Sequence, residues 1–218
     1  MEIFEIVTKV LTGFGATFSI FILTLLFSLP LGLVIAFGRM SKNIFLSNIN
    51  KVIISVLRGT PLMLQLIVWC FGPYYLLGFR VSKEWRFISI ILGFSINYAA
   101  YFAEIYRAGI LSIPNGQWEA AKVLGFSERQ TFFKFILPQM IKRVIPPVTN
   151  EVITLIKDTS LAFVVTYAEM FTIAKQVAAN KTTIIPLFVA GLFYYIFNFI
   201  VASFMETLEK RLNYYDNI

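Results

Sequence analysis

The sequence predicts an all-α integral membrane protein with five spans, and three observations carry that prediction. Long runs hold no charge, the composition is more apolar than 218 residues can bury, and the basic residues sit between the runs. Hydrophobic residues make up 58% of the chain and charged ones only 14%, with a mean hydropathy of +0.75. An average soluble domain carries roughly 25% charged residues. A small globule would have to expose the apolar surplus to water, so the surplus faces lipid.

A span needs about 20 mainly apolar residues. Uncharged stretches supply spans at about 11–38, 59–79 and 182–205. A further span at 87–110 continues past Glu104, and another at 145–168 is interrupted by Glu151, Lys157 and Asp158. No repeat or low-complexity segment divides the chain, so residues 1–218 read as one transmembrane domain. The N-terminus opens with Glu2 and Glu5 rather than a basic segment, which reads as a retained first span and not a cleaved leader. Placing the N-terminus outside puts twelve Lys and Arg residues on the inner side and six on the outer, with Lys157 left in a span. The positive-inside rule therefore expects an outer N-terminus, a cytoplasmic C-terminus and a cytoplasmic 112–143 segment.

Composition also excludes whole classes of function. A net charge of +7 would suit a nucleic-acid binder only if it clustered on one polar surface, and here it flanks apolar runs instead. With no histidine and the single cysteine Cys70, a zinc site, another metal site of that kind or Ser-His catalysis is not expected. No Gly-x-x-x-x-Gly-Lys-Ser/Thr run is present, so the chain is not expected to cradle ATP.

The longest polar stretch reads SIPNGQWEAAKVLGFSERQTFFKFILPQMIKR over 112–143. Pro114, Asn115 and Gly116 make a turn. Gln117 to Leu124 are helix formers ended by Gly125 as a C-cap, and a second helix starts near Ser127 and stops at Ile136, before Pro138. Two short helices joined at a glycine form a compact knob, although an ordinary interfacial turn would share that composition.

At this loop the chain resembles the permease subunits of ABC importers of polar amino acids, the histidine, glutamine and arginine type. Their signature is EAA, three residues, Gly, nine residues, then I-x-L-P. Glu119, Ala120, Ala121, Gly125, Leu137 and Pro138 fall in register, with Phe135 where isoleucine is usual. Arg58-Gly59-Thr60-Pro61-Leu62, then Ala100-Tyr101, Ala103-Glu104, Arg107 and Gly116-Gln117, and Lys157-Asp158-Thr159-Ser160-Leu161 extend the match over most of the chain. The resemblance implies the type I ABC importer permease fold, with the loop docking on a separate ATPase that binds ATP and Mg. It further implies a second permease subunit (a homodimer is favoured), an extracytoplasmic amino-acid-binding protein, and residence in the bacterial inner membrane. No cofactor is then expected in this chain and no chemistry occurs in it. The rival is a stand-alone secondary transporter coupled to an ion.

Charged side chains within a span cost about 2.5–3.5 kcal/mol each on insertion scales and so need a use. At 100° per residue Glu151, Thr154 and Asp158 share one helix face, as do Asn97, Tyr101 and Glu104. The two stripes are candidates to line one cavity. Glu104 could instead pair with Arg107, and Glu151 could sit at the interface. Asp158, Thr159 and Ser160 are all good N-caps, so a helix restarting there would aim free N–H groups at a substrate carboxylate or simply cap a kink. Thr166 to Glu169 has capping-box spacing ahead of a short outer helix. An excess of acid over base on the stripes favours a cationic amino acid.

Overall fold

The computed structural model describes residues 2–212, all of whose regular elements are helical. Ten α-helices follow in order: α1 Glu2–Leu11, α2 Phe14–Arg39, α3 Ile44–Gly59, α4 Leu62–Leu77, α5 Lys83–Leu111, α6 Asn115–Val123, α7 Glu128–Thr131, α8 Leu137–Asp158, α9 Met170–Lys181 and α10 Ile185–Leu212. The C-terminal end, for which a cytoplasmic location is expected, lies outside the described residues.

The span from residue 3 to Arg39, with α5 and α10, is long and apolar enough to cross a membrane alone. The other two crossings are broken. Helices α3 and α4 meet at 105°, and the path from α7 through α8 turns by 57° into α9. Counting each broken pair as one crossing gives five. The sequence-expected span at 59–79 thus begins at the bend itself. The charged Lys51 and Arg58 keep α3 amphipathic, while α4 carries no charge in its 16 residues.

Helix α5 is the hub. It packs on α2, α3, α4 and α8, and buries Phe94, Tyr98 and Phe102 completely or nearly so. The α2–α5 crossing uses small residues, because lipid offers no hydrophobic drive and close packing must hold the helices. Ala36, Ala99, Ala100 and Ala103 are all buried, and a Cβ on Gly32 would come within 2.8 Å of Phe102 Cβ. Ile20, Phe21, Leu66, Leu155, Ile156 and Phe197 complete the core between α2, α4, α8 and α10. Cys70 is buried in the same cluster, a packed thiol.

Two expectations, one for the loop and one for the end of α8, need revision. The second helix does not stop before Pro138. A π-helical turn over Phe132–Ile136 follows α7, and the chain runs on through Pro138 into α8. Proline is tolerated because it falls in the first turn of α8, where its missing N–H removes no essential bond. Second, the helix does not restart at Asp158. Thr159–Val165 continues as a 3-10 segment, and Asp158 makes no capping bond. The restart comes at Glu169, the N-cap of α9, after Thr166 has taken φ 54.

Candidate functional site

The expected polar stripes do meet. Asn97, Tyr101, Glu151, Thr154 and Asp158 line one chamber of about 250 Å³, closed by Tyr98 and by Thr60 and Leu62 at the α3–α4 break. A second chamber of about 530 Å³ adjoins it on the side of the 112–143 loop. Its walls include Arg58, Glu104, Ser112 and Arg143. Tyr101 and Glu151 belong to both chambers, so they mark the junction.

Each polar wall residue has a different state of satisfaction. The Tyr98 hydroxyl, on a buried side chain, donates to Asp158 Oδ2 at 2.8 Å. Asn97 is spent on structure, donating through Nδ2 to the Leu57 carbonyl at 2.9 Å and to Gln65 Oε1 at 3.1 Å. Gln65 in turn donates to the Leu57 carbonyl and to Thr60. These bonds tie the α3–α4 break to α5, which is why a buried asparagine is retained at that position. Glu104 takes two bonds on Oε2 from Arg107, at 2.9 and 2.7 Å, so the pairing alternative is present even though Glu104 faces the larger chamber. Glu151 makes no ion pair among the described residues.

Thr159 and Ser160 are placed otherwise than the capping argument expects. The Thr159 hydroxyl donates to the Ile156 carbonyl and the Ser160 hydroxyl to that of Lys157, both at 2.7 Å. The backbone N–H groups at this junction bond back to the Leu155 and Lys157 carbonyls. A continuing helix consumes its own donors, so no free N–H row faces the chamber.

Sequence reasoning missed Tyr98, one residue off the Asn97 stripe, and it misread Glu169. Fully buried, Glu169 caps α9 by accepting from the Phe171 and Thr172 amides at 2.7 and 2.6 Å. It also accepts from the Thr172 hydroxyl at 2.7 Å and the Tyr194 hydroxyl at 2.9 Å. Thr17 of α2 accepts from the Met170 amide at 3.2 Å, which completes a junction of α2, α9 and α10. The spacing Glu169–Thr172 was the available signal, read as the end of a box and not as the cap itself.

The loop forms the compact knob. Gly125 adopts φ 81 at the end of α6, where Phe126 N–H reaches the Ala121 carbonyl at 3.0 Å, a Schellman-type closure. Ser127 and Gln130 make a reciprocal capping box on α7. Phe126 packs edge-on against Phe135 at 5.1 Å, locking the two halves together. Glu119 and Ala120 face outward, whereas Ala121 is buried and serves the knob's interior. Leu137 is half-buried and Pro138 exposed at the start of α8. Val123 and Leu124 are 87% and 73% exposed on α6 and the residue after it. An exposed apolar pair on a rigid knob is the kind of surface a partner covers.

A helical bundle with broken spans, a polar chamber between them and a structured loop beside it defines a membrane permease. The chain belongs to the family described as "Binding-protein-dependent transport system inner membrane component", which matches residues 28–214. Over 206 residues it is 39% identical to the L-cystine transport system permease protein TcyB of Bacillus subtilis, covering 93% of this chain and 86% of that one. It is 35% identical over 204 residues to the arginine transport system permease protein ArtQ of the same organism, covering 93% and 92%. A solved amino acid ABC transporter with histidines superposes with a TM-score of 0.85 at 27% identity, covering 94% of each chain. The fold is shared with the MetNI methionine ABC transporter at a TM-score of 0.73 and 18% identity. The chain is thus a type I ABC permease of the amino-acid class, a multi-pass protein of the inner membrane.

Proposed function

We propose that this permease carries a polar, basic amino acid inward by alternating access, as half of a homodimer. A separate ATPase subunit binds ATP and Mg and docks on Glu119, Ala120 and the exposed Val123–Leu124 surface of the knob. An extracytoplasmic binding protein delivers the substrate. The N-terminus lies outside and the loop in the cytoplasm, as the basic-residue distribution favours.

One observation carries the substrate class. Two carboxylates, Glu151 and Asp158, line the smaller chamber, and no basic side chain does. A cation entering low dielectric needs compensating charge, since its uncompensated transfer is very costly. Tyr101 and Thr154 add hydroxyl donors for the substrate's carboxylate. Glu104 guides the leaving cation through the larger chamber.

The test is competition in proteoliposomes that contain the permease, its ATPase and a saturating amount of binding protein. Arginine, lysine and histidine should compete for uptake better than glutamine or leucine. Glu151→Gln should abolish that preference. Equal competition by neutral amino acids, or an unchanged preference in Glu151→Gln, would remove the basic-substrate assignment.

A further inference from the structure

Arg58 occupies an unusual position. It is the basic residue in the last turn of α3, one residue before the Gly59-Thr60-Pro61 break, and it lines the larger chamber together with Glu151. Its guanidinium lies over the Tyr101 ring, 5.0 Å from the centroid. It forms no ion pair among the described residues, although Glu104 and Glu151 share its chamber. Glu104 is already held by Arg107, so the available carboxylate is Glu151. A guanidinium parked on an aromatic face and a carboxylate without an ion pair among the described residues therefore share the wall of the larger chamber, at its junction with the smaller one. Arginine stacks on aromatic rings and pairs with carboxylates, so both resting places suit it.

The anchor of Arg58 is also adjustable. The α3–α4 bend of 105° is fixed by side-chain bonds to the Leu57 carbonyl, from Asn97 and Gln65, and not by continuous helix. A change in that bend moves the residue next to Leu57 relative to α8, which carries Glu151.

We propose that Arg58 is a tethered competitor for a cationic substrate, a specificity-determining residue for its release. With Arg58 on Tyr101, Glu151 is free to hold the substrate cation. When the α3–α4 bend changes, Arg58 leaves the ring and pairs with Glu151, and the displaced cation passes into the larger chamber. Only substrates held through Glu151 are expelled in this way. The inference rests on Glu151 being the cation site of the proposed function.

The experiment measures equilibrium binding and dissociation of labelled arginine on the permease–ATPase complex in nanodiscs, without nucleotide, beside uptake in proteoliposomes. If Arg58 occupies Glu151 most of the time in the releasing state, its removal raises apparent affinity about tenfold. Arg58→Gln should therefore bind arginine about tenfold more tightly, release it more slowly and transport it more slowly, while glutamine uptake changes little. Arg58→Lys keeps the charge and should restore release. Glu151→Gln should lose arginine binding, and in that background Arg58→Gln should have no further effect. Equal loss of arginine and glutamine uptake in Arg58→Gln, with unchanged affinity, would make Arg58 a structural counter-charge for the end of α3 and overturn the proposal. Unchanged arginine binding in Glu151→Gln would instead remove the underlying site. The two failures are distinguishable.

Discussion

Replacing Glu169 with alanine tests the reading of the α2–α9–α10 junction most sharply. The carboxylate is fully buried and accepts four bonds of 2.6 to 2.9 Å, two from the first amides of α9 and two from the Thr172 and Tyr194 hydroxyls. Loss of a side-chain cap costs about 0.5–2 kcal/mol. Each buried donor left without an acceptor costs about 1–3 kcal/mol. The Thr172 hydroxyl can turn to a helix carbonyl, so Tyr194 is the donor left stranded. Together these give about 1.5–5 kcal/mol, concentrated at the start of α9. Glu169→Gln keeps one acceptor for Thr172 but turns an amide donor toward the Phe171 N–H, so it should lose about half as much. Thermal unfolding in detergent should rank unmodified above Glu169→Gln above Glu169→Ala. Hydrogen exchange at the Phe171 and Thr172 amides should rise by far more than in α5. Unchanged melting and unchanged exchange in Glu169→Ala would refute the network's role.

Three further outcomes follow from other parts of the molecule. Gly125→Val places a β-branched residue at φ 81, a strain of about 1–2 kcal/mol with open space around it, so copurification of the ATPase should fall while membrane insertion is unaffected. Asp158→Asn should depress uptake of every substrate, whereas Tyr98→Phe removes only the 2.8 Å donor and should raise KM about fivefold, in line with a bond worth roughly 1 kcal/mol; steady-state uptake kinetics separate the two. Single cysteines in a Cys70→Ser background should react with an impermeant reagent in intact cells at position 81 and not at position 115, and labelling at 115 would invert the proposed topology.

How much was legible in the sequence depended on whether local chemistry or tertiary context decided each feature. Gly125, Ser127 and the uncharged runs declare themselves locally, since a positive φ, a cap and a hydrocarbon layer each demand a narrow set of residues. The polar faces of the spans were legible too, because helical spacing alone puts Glu151, Thr154 and Asp158 together. The α3–α4 break was not, even though Pro61 marks it. What holds it is Asn97 and Gln65, which are 32 residues apart in sequence. Asp158-Thr159-Ser160 misled for a related reason. Good N-cap residues do not cap when the preceding helix supplies carbonyls for their hydroxyls and amides, as Ile156, Lys157 and Leu155 do here. Pro138 misled because a π-helical turn places it at a helix start. Glu169 needed Thr17 and Tyr194, from helices more than a hundred residues apart, before its burial made sense.

The central claim is that this chain moves an amino acid only as the membrane half of an ATP-driven machine. The measurement that tests it is accumulation of labelled arginine in proteoliposomes under two regimes. With the ATPase, ATP-Mg and the binding protein present, uptake should proceed without any ion gradient and should stop when any one of the three is withheld. The purified permease alone, given a proton or sodium gradient, should accumulate nothing. Gradient-driven accumulation by the permease alone, abolished by Asp158→Asn, would contradict the account and identify an ion-coupled transporter.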